Sequence, residues 1–236
     1  MGYPIKGFNP HTFIDCEGKL ACVIYLSGCN FRCPYCHSKA LVCESDNELG
    51  KVPFEQIELF LQEKEGWIYA VVIGGGEPTL YAQLPALLND LKRNGLFVKI
   101  DTNGTNPQML RHIIKEKLVD YVAMDVKAPL EPEKYHKASG SNIDLSLIKE
   151  SIDIIMHSGI EYEFRTTVVP TLLDSADIVK IARLLRGAEK YVLQQFSPKD
   201  TLDISFMQVK PYTADELKKM RSLVKEFVKN CFVRGE

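Results

Sequence analysis

Residues 28–37 of the sequence, GCNFRCPYCH, contain three cysteines at the spacing C-x3-C-x2-C: Cys29, Cys33 and Cys36. Thiolates this close together can converge on one metal centre, because each short interval can turn the chain back on itself. A [4Fe–4S] cluster ordinarily takes four cysteine ligands. Three ligands leave one iron open to an exogenous molecule. The spacing therefore predicts a cluster that can bind and cleave a substrate rather than only carry electrons.

Two other chemistries compete for these cysteines. Structural zinc needs a fourth protein ligand, which Cys22, His37 or Cys43 could supply, but the sequence contains no second cysteine pair of the zinc-knuckle type. A disulfide framework is disfavoured because the chain has an odd number of cysteines, seven in all. The iron–sulfur cluster is therefore the favoured interpretation, and zinc stays open as the alternative.

Segments rich in β-branched residues alternate with segments of helical periodicity, which predicts a parallel sheet with right-handed crossovers. The predicted strands are 20–26, 69–73, 97–102, 121–126, 162–168 and 191–196. The predicted helices are 54–64, 84–94, 108–117, 145–157, 175–185 and 214–229. We expect a single domain over 1–236, with an N-terminal lead at 1–19 and six βα units at 20–236. Because six units do not close an eight-stranded barrel, the predicted fold class is α/β, a partial, open (βα)6 TIM-like barrel.

Further candidate residues lie at, or directly after, the carboxyl-terminal ends of the predicted strands, where open α/β folds place their chemistry. They are Gly75, Gly76, Glu77, Asp101, Asn103, Asp125, Lys127 and Arg165. Glycines permit close approach of the backbone to a ligand. The polar side chains also have structural interpretations: turn capping for both aspartates and Asn103, loop ordering for Glu77 and a surface salt bridge for Arg165.

These motifs resemble those of the radical S-adenosylmethionine (SAM) superfamily. The resemblance rests on the cysteine triplet with Tyr35 before its last cysteine, and on the GGEP segment at 75–78. Segments 13–20, 101–104 (DTNG) and 124–127 (MDVK) are similar to glycyl-radical-enzyme activases. Segments 164–170 (FRTTVVP) and 193–196 (LQQF) resemble one branch of these, the activating proteins of anaerobic ribonucleoside-triphosphate reductase. The resemblance covers nearly the whole chain.

The resemblance implies that Cys29, Cys33 and Cys36 hold one [4Fe–4S] cluster, whose fourth iron is chelated by SAM. Reductive cleavage of SAM then gives methionine and a 5′-deoxyadenosyl radical, with no side chain serving as an acid–base catalyst. A cation beside the SAM carboxylate is also implied, near Asp101 and Asp125. The residues implied to contact the cofactor are Tyr35, Cys36, His37, Gly75, Gly76, Glu77, Asp101, Asn103, Asp125, Lys127 and Arg165.

A chain of 236 residues is close to a minimal barrel, whose exposed rim suits a protein substrate. The resemblance implies a radical SAM oxidoreductase that abstracts hydrogen from a glycine of a partner glycyl radical enzyme. The expected partner is anaerobic ribonucleoside-triphosphate reductase, and the expected electron donor is a reduced flavodoxin or ferredoxin-type protein. Three alternatives stay open: a pyruvate formate-lyase-type activase, a small-molecule radical SAM enzyme such as a 7-carboxy-7-deazaguanine synthase, and a zinc-stabilised binding module.

Composition and charge indicate which kinds of partner the protein lacks and where it is located. The net charge of −2 gives no electrostatic basis for nucleic-acid binding. No apolar run approaches the roughly 20 residues that a membrane helix needs, and the N-terminus lacks the apolar core of a signal peptide. With seven cysteines that require reducing conditions, the predicted location is cytoplasmic, without nucleic-acid or membrane partners.

Overall fold

The computed structural model describes residues 3–43 and 50–235. Its strands are β1 Ile5–Thr12, β2 Ala21–Leu26, β3 Ala70–Gly75, β4 Phe97–Thr102, β5 Tyr121–Asp125, β6 Glu161–Val168, β7 Lys190–Gln195 and β8 Asn230–Arg234. Its α-helices are α1 Lys39–Val42, α2 Phe54–Glu63, α3 Leu84–Arg93, α4 Pro107–Lys115, α5 Pro132–Ser139, α6 Leu145–Met156, α7 Ser175–Leu184 and α8 Ala214–Val224. Two short 3₁₀ helices, Pro78–Leu80 and Ile204–Gln208, follow β3 and β7.

The strands form one eight-stranded sheet in which they follow one another in chain order. β1 runs antiparallel to β2, whereas the pairs β2–β3, β3–β4, β6–β7 and β7–β8 are parallel. The strand order ends at β1 on one side and at β8 on the other, so the sheet formed by the described residues is open. The prediction of an open α/β fold is confirmed.

The six predicted strands correspond to β2–β7, but two further strands were missed. The stretch predicted only as an N-terminal lead contains β1, whose register with β2 shifts twice and whose sequence, IKGFNPHT, includes a glycine and a proline. The last helix was predicted to reach residue 229, but α8 ends at Val224. The chain then buries Phe227 and Val228 and continues into β8. Helix α5 was also missed.

The chain divides into two compact units, the first of which comprises 1–30, 40–102 and 108–122. Its helix α3 buries Leu84, Leu87, Leu88 and Leu91, at the spacing that places apolar side chains on one helical face. Cys16 belongs to a buried cluster formed with Ala21, Val23, Ala70 and Val72. This unit therefore has an apolar core of its own.

The second unit comprises 31–39, 103–107 and 123–236. Its core includes the fully buried aromatic side chains of Tyr135, Phe164 and Tyr191. It also buries a carboxylate, Glu163, which accepts two hydrogen bonds of 2.9 Å from Arg234. This charged pair attaches β8 to the rest of the unit.

No α-helix in the described part of the chain combines the length and the apolar character needed to cross a bilayer.

Candidate functional site

The three candidate cysteines lie in the connection between β2 and α1. The boundary between the two units passes through this connection, so that Cys29 belongs to the first unit and Cys33 and Cys36 to the second. Cys33 is buried, the other two are half-buried, and all are thiols rather than disulfides. In the described ranges, no three His, Cys, Asp or Glu side chains are already gathered as a metal site.

Within the first unit, the segment after β3 is bound to the start of the cysteine connection. The Gly76 N–H donates to the oxygen of Leu26 (2.9 Å), and the Glu77 N–H donates to the oxygen of Gly28 (2.7 Å). A Cβ at Gly76 would lie 1.9 Å from the Gly28 oxygen, and a Cβ at Gly75 would lie 2.4 Å from that of Leu26. The two backbones therefore approach so closely that only glycine fits at positions 75 and 76. This close approach fixes the path of the chain from the end of β2 to Cys29.

Glu77 orders this segment through its buried carboxylate, which is 2% exposed. Its Oε1 accepts hydrogen bonds from the Thr79 N–H (3.1 Å), the Thr79 hydroxyl (2.5 Å) and the Thr102 hydroxyl (2.7 Å). Glu77 also caps the 3₁₀ helix Pro78–Leu80. The geometry matches the loop-ordering interpretation: the side chain joins the ends of β3 and β4. The sequence analysis included Thr102 only as part of the segment 101–104, and the bond of its hydroxyl to Glu77 was not anticipated.

Within the second unit, the later half of the cysteine connection is held by the segment that follows β7. The N–H groups of Leu202 and Asp203 donate to the oxygens of Cys36 and Pro34, each at 2.9 Å. The Cys36 N–H donates to the Cys33 oxygen at 3.0 Å, which forms a tight turn between two of the cysteines. Sequence reasoning missed Leu202 and Asp203, since about 170 residues separate them from the turn and no motif connects the two segments.

The residues considered as a fourth zinc ligand are placed as follows. Cys22 is fully buried within β2, and burial raises the pKa of its thiol to about 12. The Nε2 of His37 bonds to the main-chain oxygen of Ser197 at 2.8 Å. Cys43 is exposed at the end of α1. Cys22 is therefore enclosed in the protein interior, and the Nε2 of His37 is already hydrogen-bonded to the backbone.

Asp125, Lys127 and Arg165 form one ion-pair network in the second unit. Asp125 Oδ1 accepts from Arg165 Nε at 2.7 Å, and Oδ2 accepts from Lys127 Nζ at 2.9 Å. Burial opposes ionisation of both Asp125 and Lys127, yet attraction between the charges holds the Asp125 pKa well below its usual value and the Lys127 pKa well above its own. Arg165 is only 8% exposed, so the alternative of a surface salt bridge was wrong.

In the first unit, Asp101 has its own cationic partner: its Oδ1 lies 3.5 Å from Lys99 Nζ, which also donates to the main-chain oxygen of Asp15. In the second unit, Asn103 Oδ1 accepts from the Thr105 N–H (3.0 Å) and hydroxyl (2.7 Å), so this side chain orders a turn. Asp101 and Asp125 are thus both paired with protein cations, and their charges do not require the additional cation that the resemblance implied.

Tyr35, another of the predicted site residues, has a buried side chain. Its ring is 6% exposed, and in the described part of the chain its hydroxyl oxygen has no hydrogen-bonding partner. Burial, and then the neighbouring Cys33, hold the pKa of this phenol well above its usual value. Tyr135 on α5, fully buried and absent from our sequence prediction, lies in the same surroundings, near Lys127 and Cys33.

The donor set fits an iron–sulfur cluster. Cys29, Cys33 and Cys36 are thiols of a single connection, and the buried hydroxyl of Tyr35, which has no acceptor among the described residues, lies in the same run. Thiolates are the usual protein ligands of such clusters.

Comparisons with known proteins identify the family. The family model of the radical SAM superfamily matches residues 23–185. A Methanocaldococcus jannaschii protein, provisionally named a glycyl-radical enzyme activating enzyme, is 34% identical over 98% of this chain and 95% of its own. A 7-carboxy-7-deazaguanine synthase of Thermococcus kodakarensis is 26% identical over 80% of this chain and 78% of its own.

Among solved structures, Streptococcus suis SuiB bound to precursor peptide SuiA superposes with a TM-score of 0.70 at 16% identity. The match covers 90% of this chain and 48% of SuiB, so this chain spans about half the length of that protein, and the likeness is one of fold. The family match over residues 23–185, together with the nearly full-length relative, shows that this chain belongs to the radical SAM superfamily.

Proposed function

We propose that this protein is a glycyl-radical-enzyme activase, which reductively cleaves SAM and abstracts a hydrogen atom from a glycine of a partner enzyme. The observation that carries the proposal is the similarity to the M. jannaschii protein, because it extends over 98% of this chain at 34% identity. A likeness this complete includes every segment described above, not only the cysteine run that all branches of the superfamily share.

In this proposal Cys29, Cys33 and Cys36 hold one [4Fe–4S] cluster with an open iron. When bound, the cluster supplies one electron to SAM, which breaks a carbon–sulfur bond and yields a 5′-deoxyadenosyl radical. The chain itself positions the ligands: Gly76 and Glu77 hold the start of the cysteine connection, while Leu202 and Asp203 hold its end. Fixed ligands keep the open iron in one place relative to bound SAM.

The charged network of the second unit is proposed to receive the SAM carboxylate. Lys127 and Arg165 place two cationic groups beside the carboxylate of Asp125, where a second carboxylate could also be bound. All three ion-pair groups are mostly buried, which strengthens their interaction with a carboxylate. Main-chain atoms of Tyr35, His37, Gly75 and Gly76, with Asp101 and Asn103, are proposed to complete the SAM site.

The proposed partner is anaerobic ribonucleoside-triphosphate reductase. Support comes from segments 164–170 and 193–196, which resemble the activating proteins of that reductase and contain the carboxyl ends of β6 and β7. The proposed electron donor is a reduced flavodoxin or ferredoxin-type protein, since cleavage of SAM consumes one electron from outside the chain. The proposal also includes a single domain and a cytoplasmic location.

A second candidate is a small-molecule radical SAM enzyme. The similarity to a 7-carboxy-7-deazaguanine synthase favours it, because the match extends over 80% of this chain and 78% of that protein. Its lower identity, 26%, places it behind the activase.

The test begins with anaerobically reconstituted protein. Wild type should bind four irons and four sulfides per chain and, once reduced, convert SAM to 5′-deoxyadenosine and methionine. The reaction is then offered either the reductase or a pterin. Formation of a radical on the reductase supports the activase, whereas consumption of the pterin without a protein radical would establish the second candidate instead.

A further inference from the structure

The Tyr35 hydroxyl is a buried donor at the centre of the cysteine run. Tyr35 lies two residues after Cys33 and directly before Cys36. Its side chain is 6% exposed, and its oxygen has no hydrogen-bonding partner among the described residues. Leaving a buried hydroxyl without a partner is unfavourable, so a group that could accept its hydrogen would be bound preferentially.

None of the described protein groups around the phenol accepts its hydrogen. The titratable groups near enough to act on it include Cys33, Lys127, Asp125 and Tyr135, whose own hydroxyl also has no partner among the described residues. Lys127 is a donor only. Each oxygen of Asp125 already accepts one hydrogen bond, from Arg165 or from Lys127. Cys33 is the neighbour that a bound cluster would turn into a strong acceptor, a thiolate with inorganic sulfide beside it.

We propose that the Tyr35 hydroxyl donates a hydrogen bond to a sulfur of the bound cluster, either the Cys33 thiolate or an adjacent inorganic sulfide, and thereby raises the reduction potential of the cluster. This inference rests on the proposed function. It makes Tyr35 a positioning and tuning residue that acts through the cluster and does not react with SAM.

The physical reason is the charge that reduction adds. One electron from an external one-electron reductant enters the cluster, and the phenol keeps its proton. The added negative charge on the sulfurs strengthens an O–H···S hydrogen bond, so the bond stabilises the reduced state more than the oxidised state. Hydrogen bonds to sulfur are among the factors that set iron–sulfur potentials.

The experiment compares Tyr35→Phe with Tyr191→Phe, each of which removes one buried hydroxyl. Tyr191 is fully buried, but its hydroxyl donates to the Thr166 hydroxyl at 2.9 Å and so has a protein partner. Reductive titration followed by electron paramagnetic resonance measures the ratio of reduced to oxidised cluster at a fixed potential. We expect this ratio to fall about fivefold in Tyr35→Phe and to be unchanged in Tyr191→Phe.

Thermal unfolding of the two apoproteins provides a readout that does not depend on the cluster. Tyr191→Phe should lower the melting temperature, because it breaks a bond within the protein. Tyr35→Phe should leave the melting temperature unchanged or raise it, because among the described residues its hydroxyl has no partner to lose. An unchanged cluster potential in Tyr35→Phe, or an apoprotein as destabilised as Tyr191→Phe, would overturn the inference.

The design separates this inference from the proposed function. If wild type takes up no [4Fe–4S] cluster, both fail together; if wild type is normal and only the potential of Tyr35→Phe is unchanged, the hydrogen bond alone is refuted. Should Tyr35→Phe retain no cluster, 3-fluorotyrosine at position 35 takes its place. Its more acidic hydroxyl should raise the potential above that of wild type, and no change would refute the inference.

Discussion

Replacing Gly76 by alanine should displace the start of the cysteine connection. The added Cβ would lie 1.9 Å from the Gly28 oxygen and 2.5 Å from the Gly28 carbonyl carbon. Both contacts are with backbone, so no side chain can rotate away to relieve them. To restore ordinary van der Waals contact, the two segments must separate by about 1.5 Å, which breaks the hydrogen bonds from Gly76 to Leu26 and from Glu77 to Gly28.

The expected cost follows from these contacts. Two backbone hydrogen bonds contribute about 1 kcal/mol each, and overpacking of a tight site costs about 1–3 kcal/mol. We therefore expect Gly76→Ala to lower the free energy of unfolding by about 3–5 kcal/mol. Because Cys29 directly follows Gly28, the same displacement should reduce the iron bound on anaerobic reconstitution.

Gly74→Ala is the matched control. A Cβ at Gly74 would meet only the Asp101 Cβ, at an ordinary contact distance of 3.8 Å. Its free energy of unfolding should stay within about 1 kcal/mol of wild type, with iron content unchanged. Chemical denaturation measures the free energy of unfolding of wild type, Gly76→Ala and Gly74→Ala, and iron analysis measures how much iron each of them binds. If Gly76→Ala proved as stable and as iron-rich as Gly74→Ala, the close backbone approach would not be what places Cys29.

Three further variants test other parts of the site. Asp125→Asn should destabilise the protein by about 3 kcal/mol at pH 7, because it removes the carboxylate from the buried ion pairs with Arg165 and Lys127. Since the folded pKa of Asp125 is depressed, the stability it contributes is present above its unfolded pKa of about 4 and is lost progressively as the pH falls from there towards the folded pKa, so the difference in stability between variant and wild type should shrink over that range. Glu77→Gln keeps an acceptor oxygen and should be milder than Glu77→Ala in the same assay; equal losses would contradict its role as an acceptor of loop hydrogen bonds. Cys33→Ala should abolish both iron binding and SAM cleavage, while Cys231→Ala, on β8, should behave as wild type; SAM cleavage by Cys33→Ala would refute the cluster assignment.

The central strands of this fold could be predicted from sequence because each is a short run of apolar residues. In β3, for example, every residue before the last is buried, and the run stands out from its neighbours. The sequence of β1 has no such pattern, since it pairs at the edge of the sheet and only two of its eight residues are buried. Helix α5 lacked an apolar repeat: its buried side chains are those of Tyr135, Ala138 and Ser139. Edge elements and weakly amphipathic helices are stabilised by tertiary contacts that a local pattern does not contain.

The same distinction applies to the candidate site. The cysteine run and the GGEP segment were recognisable because their members are close neighbours in sequence. The interactions that hold them are not: Glu77 bonds Thr102, and Cys36 is held by Leu202. The network of Asp125 and Arg165 could be anticipated as two charged residues at strand ends, but their burial, which decides the strength of the pair, required the structure.

The most direct test of the proposed activase function is electron paramagnetic resonance of the partner. Reconstituted protein, SAM and a one-electron reductant are mixed anaerobically with anaerobic ribonucleoside-triphosphate reductase. An activase should produce a radical doublet on the reductase, split by the remaining α-hydrogen of the target glycine, which collapses when the α-carbon of that glycine carries deuterium. A short peptide containing that glycine should react poorly, because docking of the folded partner supplies the positioning. Cleavage of SAM with no radical on the reductase or on any other glycyl radical enzyme would contradict the proposed function.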